Sequence, residues 1–350
     1  AAGIRAYGWQ AQARAGISFI PSNDFSFYDN VLDTAFLLGA VPERYAALGL
    51  PPLQTYFAAA HGYQGEAGDV KALPMKKWFN TNYHYIVPEL SDGTALSLAA
   101  DAKPLAEYAE ARALGVQTVP HLVGAYTFLR LATYTGKKRA ADFAAALADC
   151  YAELCARLSA AGAEWVSFDE PALVLDVTAD ERALFRALYA ALLSAVRART
   201  GLKVAVQTYF GDVRDVYADL CALNLDGIGL DFVEGKQSAA LVQSGFPRGA
   251  LLFAGVVNGK NIWRTNYDKR LSLLSALEAA VGAERVVVGT SCSLLHVPYT
   301  TAAEQKLAVD IKKHFAFAEE KLTELGDLAA AADARRAAGG ALAGSSATHA

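Results

Sequence analysis

Short apolar segments alternate with long amphipathic segments along most of this 350-residue chain, and this alternation constrains the fold more than any other feature. The apolar segments are rich in valine, isoleucine and aromatic residues and are apolar on both faces. Such segments are typical of strands that are buried on both sides of a parallel sheet. We expect strands at residues 17–21, 83–87, 118–123, 165–168, 204–210, 227–232, 251–257 and 286–290.

The segments between these strands have the pattern of helices. Residues 138–162 and 179–199 carry large apolar side chains at helical spacing, and Thr178 with Glu181 forms a capping box before the second segment. Strands and helices that alternate many times over this length predict a (β/α)₈ barrel of the TIM type, with a doubly wound sheet as the alternative. The sequence contains neither GxGxxG after an early strand nor GxxxxGK[ST], so nucleotide binding is not expected.

The C-terminal part contains two further signals. A second capping box, Thr301 with Glu304, predicts a long helix with an apolar stripe at Leu307, Ile311, Phe315 and Leu322. From residue 329 the composition becomes rich in alanine, glycine and serine, which is typical of a flexible linker or tail. We therefore divide the chain into a barrel, residues 1–328, and a tail, residues 329–350.

Composition and charge exclude several classes of partner. The net charge of −4 gives no basic surface for nucleic acid or an anionic membrane, and no apolar run approaches the roughly 20 residues of a membrane span. The N-terminus has no secretory leader, and the four cysteines form no disulfide framework, so we expect a cytoplasmic protein with reduced thiols. The chain does not begin with methionine, which suggests processing or a longer parent protein.

Polar side chains follow the ends of most of the predicted strands. In a barrel, the residues after the carboxyl end of each strand face the functional site, so we expect these side chains to form a polar ring. The members of this ring are Asp24, Asp169, Glu170, Asp212, Asp231, Asn258, Lys260, Asn261, Cys292 and His296.

The carboxylates of this ring leave two interpretations open. Glycoside hydrolases use two carboxylates about 5 Å apart or up to ~9.5 Å apart. Asp169 and Glu170 are adjacent and would point to opposite faces of a strand, so a partner such as Asp231 would have to come from another strand. The other interpretation is that these carboxylates accept hydrogen bonds from loop amides.

The sequence does not predict a complete zinc site within this chain. Cys292 and His296 are four residues apart, but their segment leads from an apolar strand toward a proline, so a shared helical face is not expected. No HxC, HxxxH or CxxC pattern supports them, although zinc requires three or four such ligands on rigid elements.

The segment 74–90, "PMKKWFNTNYHYIVPEL", is the densest cluster of unusual residues. A strand that only packed against the core would not need Lys76, Lys77, Asn80 and Asn82 so close together. Adjacent lysines beside aromatic rings suit an extended anionic ligand such as a chain of carboxylates. The alternative is a surface hairpin whose lysines extend along apolar surface into water.

This segment also carries a resemblance to a known family. "KKWFNTNYHYIVPEL" closely resembles TKWFDTNYHYIVPE, a hallmark of the N-terminal domain of cobalamin-independent methionine synthases. "WVSFDEPALVLDV", "GVVNGKNIWRTNY" and "TSCSLLHVPYT" are similar to the family's WVQIDEPALVLDL, GVVDGRNIWRADL and TSCSLLHVPVDL. "AGISFIPSNDFSFYDNVLDTAFLLGAVPERY" also resembles a family segment, and all the matches occur in family order.

The resemblance implies the folate-side half of a zinc-dependent methyltransferase. Family members consist of two (β/α)₈ barrels and move a methyl group from 5-methyltetrahydropteroyltri-L-glutamate to homocysteine, giving methionine without cobalamin. Their zinc lies in the C-terminal catalytic barrel, so its ligands are expected outside this chain, which would be inactive alone. By motif position Lys77 would contact the glutamate tail of the folate, with Lys76 as an auxiliary and Trp78, Asn80 and Asn82 shaping the groove.

The sequence also departs from the family pattern. The family's first strand and basic segment, GFPRIG followed by RELK, have no counterpart before "AAGIRAYGWQ", so we expect a barrel without its first strand and with a hairpin insertion around residues 74–90. Ala125 stands where proline is usual, and Lys76 where threonine is common. Two alternative functions remain: a non-catalytic docking barrel that acts only through a partner domain, and a carbohydrate-active TIM barrel.

Overall fold

The computed structural model describes residues 1–346 of the chain. Within these residues the strands are β1 (Ile20–Ser22), β2 (Tyr63–Gly65), β3 (Gly68–Val70), β4 (Met75–Lys77), β5 (His84–Ile86), β6 (Glu89–Leu90), β7 (Thr118–Val123), β8 (Thr133–Tyr134), β9 (Trp165–Asp169), β10 (Lys203–Gln207), β11 (Gly227–Asp231), β12 (Leu251–Val257) and β13 (Val286–Thr290). The α-helices are α1 (Ala2–Arg14), α2 (Asn30–Leu37), α3 (Glu43–Ala46), α4 (Pro52–His61), α5 (Lys103–Ala113), α6 (Ala125–Leu131), α7 (Ala140–Ala160), α8 (Ala179–Arg199), α9 (Tyr217–Ala222), α10 (Ser238–Ser244), α11 (Tyr267–Val281), α12 (Val309–Lys312) and α13 (Ala318–Ser346).

Seven of the strands form one parallel sheet in the order β1-β7-β9-β10-β11-β12-β13. Helices connect successive strands, which is the topology of a (β/α)₈-type barrel and confirms the predicted fold class. In the part of the chain that the structure describes, β1 and β13 pair with one neighbour each and not with one another. The barrel therefore has an open seam. All residues of β11 are buried, whereas those of β13, beside the seam, are only half-buried.

The interior of the barrel is filled by large side chains that lie over glycines. A Cβ atom on Gly229 would lie 1.6 Å from Oε1 of Gln207, and one on Gly227 would lie 2.5 Å from the Phe253 ring. The Phe253 ring also makes edge contacts with Phe19 and Trp165, at centroid distances of 4.9 and 6.2 Å. These glycines leave room for neighbouring side chains to fill the barrel, so it is a packed core and not a pore.

The two long predicted helices are confirmed as α7 and α8. Both bury the apolar stripe that their spacing predicted. The capping box of α8 is present: Oγ1 of Thr178 accepts a hydrogen bond from the Glu181 amide at 3.3 Å, and the Glu181 carboxylate accepts one from the Thr178 amide at 2.9 Å. Local capping and helical periodicity thus agree at this site.

The segment 83–87 is the one predicted strand that does not join the large sheet. It forms β5, which pairs antiparallel with β4 in a two-stranded hairpin and confirms the insertion expected around residues 74–90. A second hairpin, β2 with β3, precedes it and was not predicted. We call residues 75–86, which comprise β4, β5 and the loop between them, the lysine hairpin.

The prediction of one long helix opened by Thr301 and Glu304 is wrong. Residues 301–303 form a single 3₁₀ turn, α12 follows as a separate short helix, and α13 begins only at Ala318. The reason is a competing partner: the Thr301 amide and hydroxyl donate to the Glu320 carboxylate, at 3.1 and 2.9 Å. Thr301 therefore anchors the start of α13 and does not cap a helix of its own.

Helix α13 continues across the predicted boundary between barrel and tail. Leu328 and Ala332, on either side of this boundary, are both buried, and α13 packs against β12 and β13. Residues 329–346 are thus helical where the composition predicted a flexible tail, while residues 347–350 lie outside the described residues. The division into domains 1–328 and 329–350 stays a prediction.

Candidate functional site

The lysine hairpin places its two lysines on the outer surface of the protein. Lys77 is directly opposite His84 and Lys76 is opposite Tyr85 in the antiparallel register. Both lysines are exposed, as is His84. Residues directly opposite on an antiparallel pair share one face, so Lys77 and His84 project from the same face of the hairpin.

Trp78 lies beneath the hairpin and not on its surface. It is 4% exposed and packs edge-on against Phe79 and Tyr85, with centroid distances of 4.9 and 5.9 Å. Its backbone closes the loop, because the Trp78 amide donates to the Tyr83 carbonyl at 2.8 Å and its carbonyl accepts from the Thr81 hydroxyl at 2.7 Å. Trp78 therefore supports the hairpin from below.

An open cleft of about 380 Å³ lies between the tip of the hairpin and the barrel. Its lining residues are Asn80, Thr81, Asn82, Tyr83, Lys260, Leu295 and His296. The structure thus brings two of the five predicted site residues, Asn80 and Asn82, into one cleft with two members of the polar ring. Lys76 and Lys77 do not line this cleft but stand on the adjoining strand β4.

Three side chains join the hairpin tip to the barrel. The Lys260 ammonium lies 2.7 Å from Oε1 of Glu234, and Oε2 of Glu234 accepts a hydrogen bond from Nδ2 of Asn80 at 2.7 Å. Lys260 also donates to Oδ1 of Asn80 at 2.8 Å, which closes the triangle. We call Asn80, Glu234 and Lys260 the hairpin latch. Sequence reasoning placed Lys260 in the polar ring but missed Glu234, because no local pattern distinguishes it from other surface glutamates.

The histidine of the cleft, His296, is uncharged near neutral pH. The His296 ring lies between the rings of Phe210 and Tyr83, at centroid distances of 5.7 and 6.5 Å. Burial and the nearby Lys260 ammonium lower the pKa of His296, against the opposing effect of Glu234. Positive charge in this region therefore comes from the lysines and not from His296.

Glu170 is fully buried and serves the fold. Its carboxylate accepts hydrogen bonds from the amides of Tyr126 and Thr127 at the start of α6, and from the hydroxyls of Thr127 and Tyr189. Burial raises its pKa to about 7, against the lowering effect of these donors. The preceding residue, Asp169, has different partners, the His121 ring and the Tyr209 hydroxyl.

Two carboxylates of the polar ring, those of Asp169 and Asp231, already have partners within the chain. Oδ1 of Asp169 lies 3.3 Å from Nδ1 of His121. Burial lowers the pKa of His121, but the Asp169 and Asp24 carboxylates together outweigh this effect and the pKa is raised. Asp231 accepts hydrogen bonds from three loop amides, those of Phe210, Val233 and Glu234. Asp231 thus has the role of loop acceptor, and the carbohydrate-active alternative finds no support.

The remaining members of the ring are dispersed. Asp212 is paired with the Arg214 guanidinium, and Asn258 accepts from the amides of Lys260 and Asn261 within its own turn. Asp24 has an exposed side chain and lies near His121.

No group of three or more histidine, cysteine, aspartate or glutamate side chains in the described part of the chain is arranged to hold a metal ion. Cys292 is 5% exposed, and burial raises the pKa of its thiol to about 12. Among the helices of residues 1–346, none has the length and apolar character needed to cross a lipid bilayer.

Comparison with known proteins decides the family. Residues 1–282 match the family model described as the cobalamin-independent synthase N-terminal domain. The chain belongs to this family. Similar relatives are the 5-methyltetrahydropteroyltriglutamate–homocysteine methyltransferases of Streptococcus sanguinis, 54% identical over 97% of this chain, and Streptococcus suis, 53% identical over 93%. The aligned regions cover 43% and 42% of these proteins, so the chain spans less than half the length of the curated relatives that it matches.

A solved structure supports the fold assignment. The B12-independent methionine synthase of a Shewanella species, in complex with selenomethionine, superimposes with a TM-score of 0.66 over 94% of this chain and 86% of that chain. The two sequences are 16% identical, so this likeness shows the fold alone.

Proposed function

We propose that this family member is the folate-side part of a methyltransferase that makes methionine. The complete enzyme would move the methyl group of 5-methyltetrahydropteroyltri-L-glutamate to homocysteine, and this chain would bind the glutamate tail and cap the catalytic barrel. The names of the streptococcal relatives support the reaction, since this chain matches 43% of a relative that is 54% identical to it. Zinc would bind in the C-terminal barrel, because the described residues of this chain do not fit a metal site.

The observation that carries the tail site is the pair of exposed lysines on β4. Among the side chains of residues 1–338, neither Lys76 nor Lys77 has an acidic partner within ion-pair distance, so both are available to an external anion. A triglutamate tail is extended and carries several carboxylates, which suits an exposed cation on a rigid strand. Adjacent strand residues point to opposite faces, so Lys77, on the face of His84, would hold the tail and Lys76 would be an auxiliary. An exposed ion pair contributes only about 0.2–1 kcal/mol, so the tail would need several contacts at once.

The adjoining cleft would supply those further contacts. Asn82 is exposed, and its amide can both donate to a carboxylate and accept from an amide of the γ-glutamyl chain. Asn80 already belongs to the hairpin latch, so in this proposal it shapes the groove and does not itself bind the tail. Trp78, which is buried, would act by supporting the hairpin from below.

Exposed apolar side chains beside the site support the capping role. Leu295, at the cleft, is 64% exposed, and Met75, at the start of the lysine hairpin, is 55% exposed. Exposed apolar surface of this kind can form a contact with another protein domain. We propose that the C-terminal catalytic barrel covers them.

One experiment tests both roles. The chain and a separately produced C-terminal barrel are assayed for methyl transfer alone and mixed, with triglutamate and monoglutamate folate as donors. We expect transfer only in the mixture. We expect Lys77→Met to raise the KM for the triglutamate donor about three- to tenfold and to leave the monoglutamate KM within twofold. Lys306→Met, which removes an exposed lysine that is not part of the hairpin, is the matched control.

Two results would contradict the proposal. Equal losses for the two donors would show that Lys77 does not hold the tail. A mixture that transfers no methyl group, although both parts are folded, would favour a docking barrel without a part in catalysis.

A further inference from the structure

Two phenylalanines beside the cleft have a backbone conformation that side chains of this size rarely adopt. Phe79, in the lysine hairpin, has φ of 50°, and Phe210, after β10, has φ of 76°. The other non-glycine residues with positive φ among the described residues are Asn23 and Asn224, and asparagine tolerates this region more readily. Strained bulky residues persist only where the surrounding structure holds them, and such positions are concentrated at functional sites.

The two strained residues lie against each other. The ring centroids of Phe79 and Phe210 are 5.8 Å apart, so the strained residue of the hairpin packs directly against the strained residue of the barrel. The Lys260 ammonium lies 5.2 Å from the centroid of the Phe210 ring, within the range of a cation–π interaction. Lys260 thus contacts the strained pair as well as the hairpin tip.

The barrel side of this contact is fixed by one buried carboxylate. Asp231 accepts hydrogen bonds from the Phe210 amide at 3.0 Å and from the Glu234 amide at 2.9 Å. Phe210 and Glu234 are therefore held at a constant separation. On the hairpin side, Asn80 follows Phe79 directly, and its side chain is bound by both Glu234 and Lys260. The hairpin latch thus holds Asn80, the residue that directly follows the strained Phe79.

We propose that Glu234 and Lys260 are positioning residues, which hold the tip of the lysine hairpin against the barrel and thereby fix the lysines of β4 for the glutamate tail. This inference rests on the proposed function and deepens it. Lys77 is two residues before Phe79 and pairs with His84 across the hairpin. Without the latch, Phe79 can relax to negative φ, the loop changes shape, and the two lysines lose their fixed orientation.

Charge alone predicts the opposite result, which makes the inference testable. Glu234 is an acidic residue close to a site for a polyanion, so by Coulomb's law its removal should strengthen the binding of that anion. Removal of Glu234 also frees the Lys260 ammonium from its ion pair. If the latch positions the lysines, removal of Glu234 weakens binding instead.

The test measures the affinity of the full 350-residue chain for triglutamate and monoglutamate folate by calorimetry. We expect Glu234→Ala to weaken triglutamate binding at least fivefold and to leave monoglutamate binding within twofold. Lys260→Met should do the same, and Lys260→Arg, which retains the charge, should recover most of the loss. Glu284→Ala removes an exposed acidic side chain far along the chain from the latch residues and is the matched control for loss of negative charge. Triglutamate binding that is unchanged or stronger in Glu234→Ala would overturn the inference.

Two further measurements separate this inference from general destabilisation and from failure of the proposed function. In a Lys77→Met background, Glu234→Ala should cause little additional loss of triglutamate affinity, whereas a merely structural effect would add in full. Limited trypsin digestion after Lys76 and Lys77 follows the hairpin without any folate. Faster cleavage there in Glu234→Ala supports the latch even if Lys77 proves not to bind the tail, and unchanged cleavage overturns it.

Discussion

The four donors that converge on Glu170 predict the effect of Glu170→Gln. Oε1 accepts from the Tyr126 amide at 2.9 Å and the Tyr189 hydroxyl at 2.5 Å, and Oε2 accepts from the Thr127 amide at 2.7 Å and the Thr127 hydroxyl at 2.6 Å. The two hydroxyls can rotate and accept from the NH₂ group of glutamine. The two backbone amides cannot accept a hydrogen bond, so one of them would face the NH₂ group of glutamine without an acceptor. A buried N–H group without an acceptor costs about 1–3 kcal/mol.

The pH dependence adds a second signature. Burial raises the pKa of Glu170 to about 7 in the folded protein, against about 4.3 in an unfolded chain. Between these values the folded state holds a proton that the unfolded state has lost, so this group's contribution to stability falls as pH rises from about 4.3 to about 7. The full loss is on the order of 3 kcal/mol. Glutamine does not titrate, so the Gln variant lacks this loss.

We therefore expect the variant to be about 1–3 kcal/mol less stable than the wild type at pH 5, where the buried carboxyl is protonated and both its oxygens still accept. This difference should shrink by pH 8. Urea unfolding followed by tryptophan fluorescence and circular dichroism at pH 5, 6, 7 and 8 measures it. Glu153→Gln, which changes a side chain that is 45% exposed, is the control and should shift stability by less than about 0.5 kcal/mol. A variant as stable as the wild type at pH 5, or a difference independent of pH, would refute the reasoning.

Two further predictions concern other buried groups. Asp29 is fully buried and accepts hydrogen bonds from three backbone amides, two at the start of α2 and one on β5. Asp29→Ala should therefore destabilise the protein by roughly 2–4 kcal/mol. A thermal-unfolding midpoint within a degree of the wild type would contradict this. Burial raises the pKa of the Cys292 thiol to about 12, so iodoacetamide at pH 8 should label the more accessible Cys221 well before Cys292 in the native protein. Peptide mass spectrometry measures the labelling of both thiols. Equal labelling rates would contradict the prediction that the Cys292 thiol is protected by burial.

The large sheet was predictable because its strands have a simple physical signature. Residues 118–123, 251–257 and 286–290 were predicted with the bounds that the structure shows, since each is a short run rich in apolar residues between polar turns. The run at 83–87 is also rich in apolar and aromatic residues, but it forms a strand of the lysine hairpin instead. Composition predicts that such a run will be extended, but pairing partners are set by the rest of the fold.

The C-terminal error has a similar origin. Thr301 and Glu304 have the spacing of a capping box, yet the Glu320 carboxylate competes for Thr301 and lies 19 residues away. A local motif cannot report such a partner.

The candidate site was predicted in its residue types but not in its connections. The lysines, asparagines and aromatic rings of segment 74–90 stand out in the sequence, and the structure places Asn80 and Asn82 at one cleft. The contact between Asn80 and Lys260 joins residues that are 180 positions apart, and that between Asn80 and Glu234 joins residues 154 apart. Only the folded chain brings these groups together, so the sequence did not predict Glu234 as a site residue.

The open seam also determines which strands of the barrel separate most easily from the sheet. Opening of β11 would break backbone hydrogen bonds on both sides, whereas opening of β1 or β13 would break them on one side only. Local stability therefore decreases from the centre of the sheet toward its two free edges, and fluctuations begin there. The strands that end beside the hairpin latch, β10, β11 and β12, are all paired on both sides. The proposed ligand groove thus rests on the stiffest part of an incomplete ring.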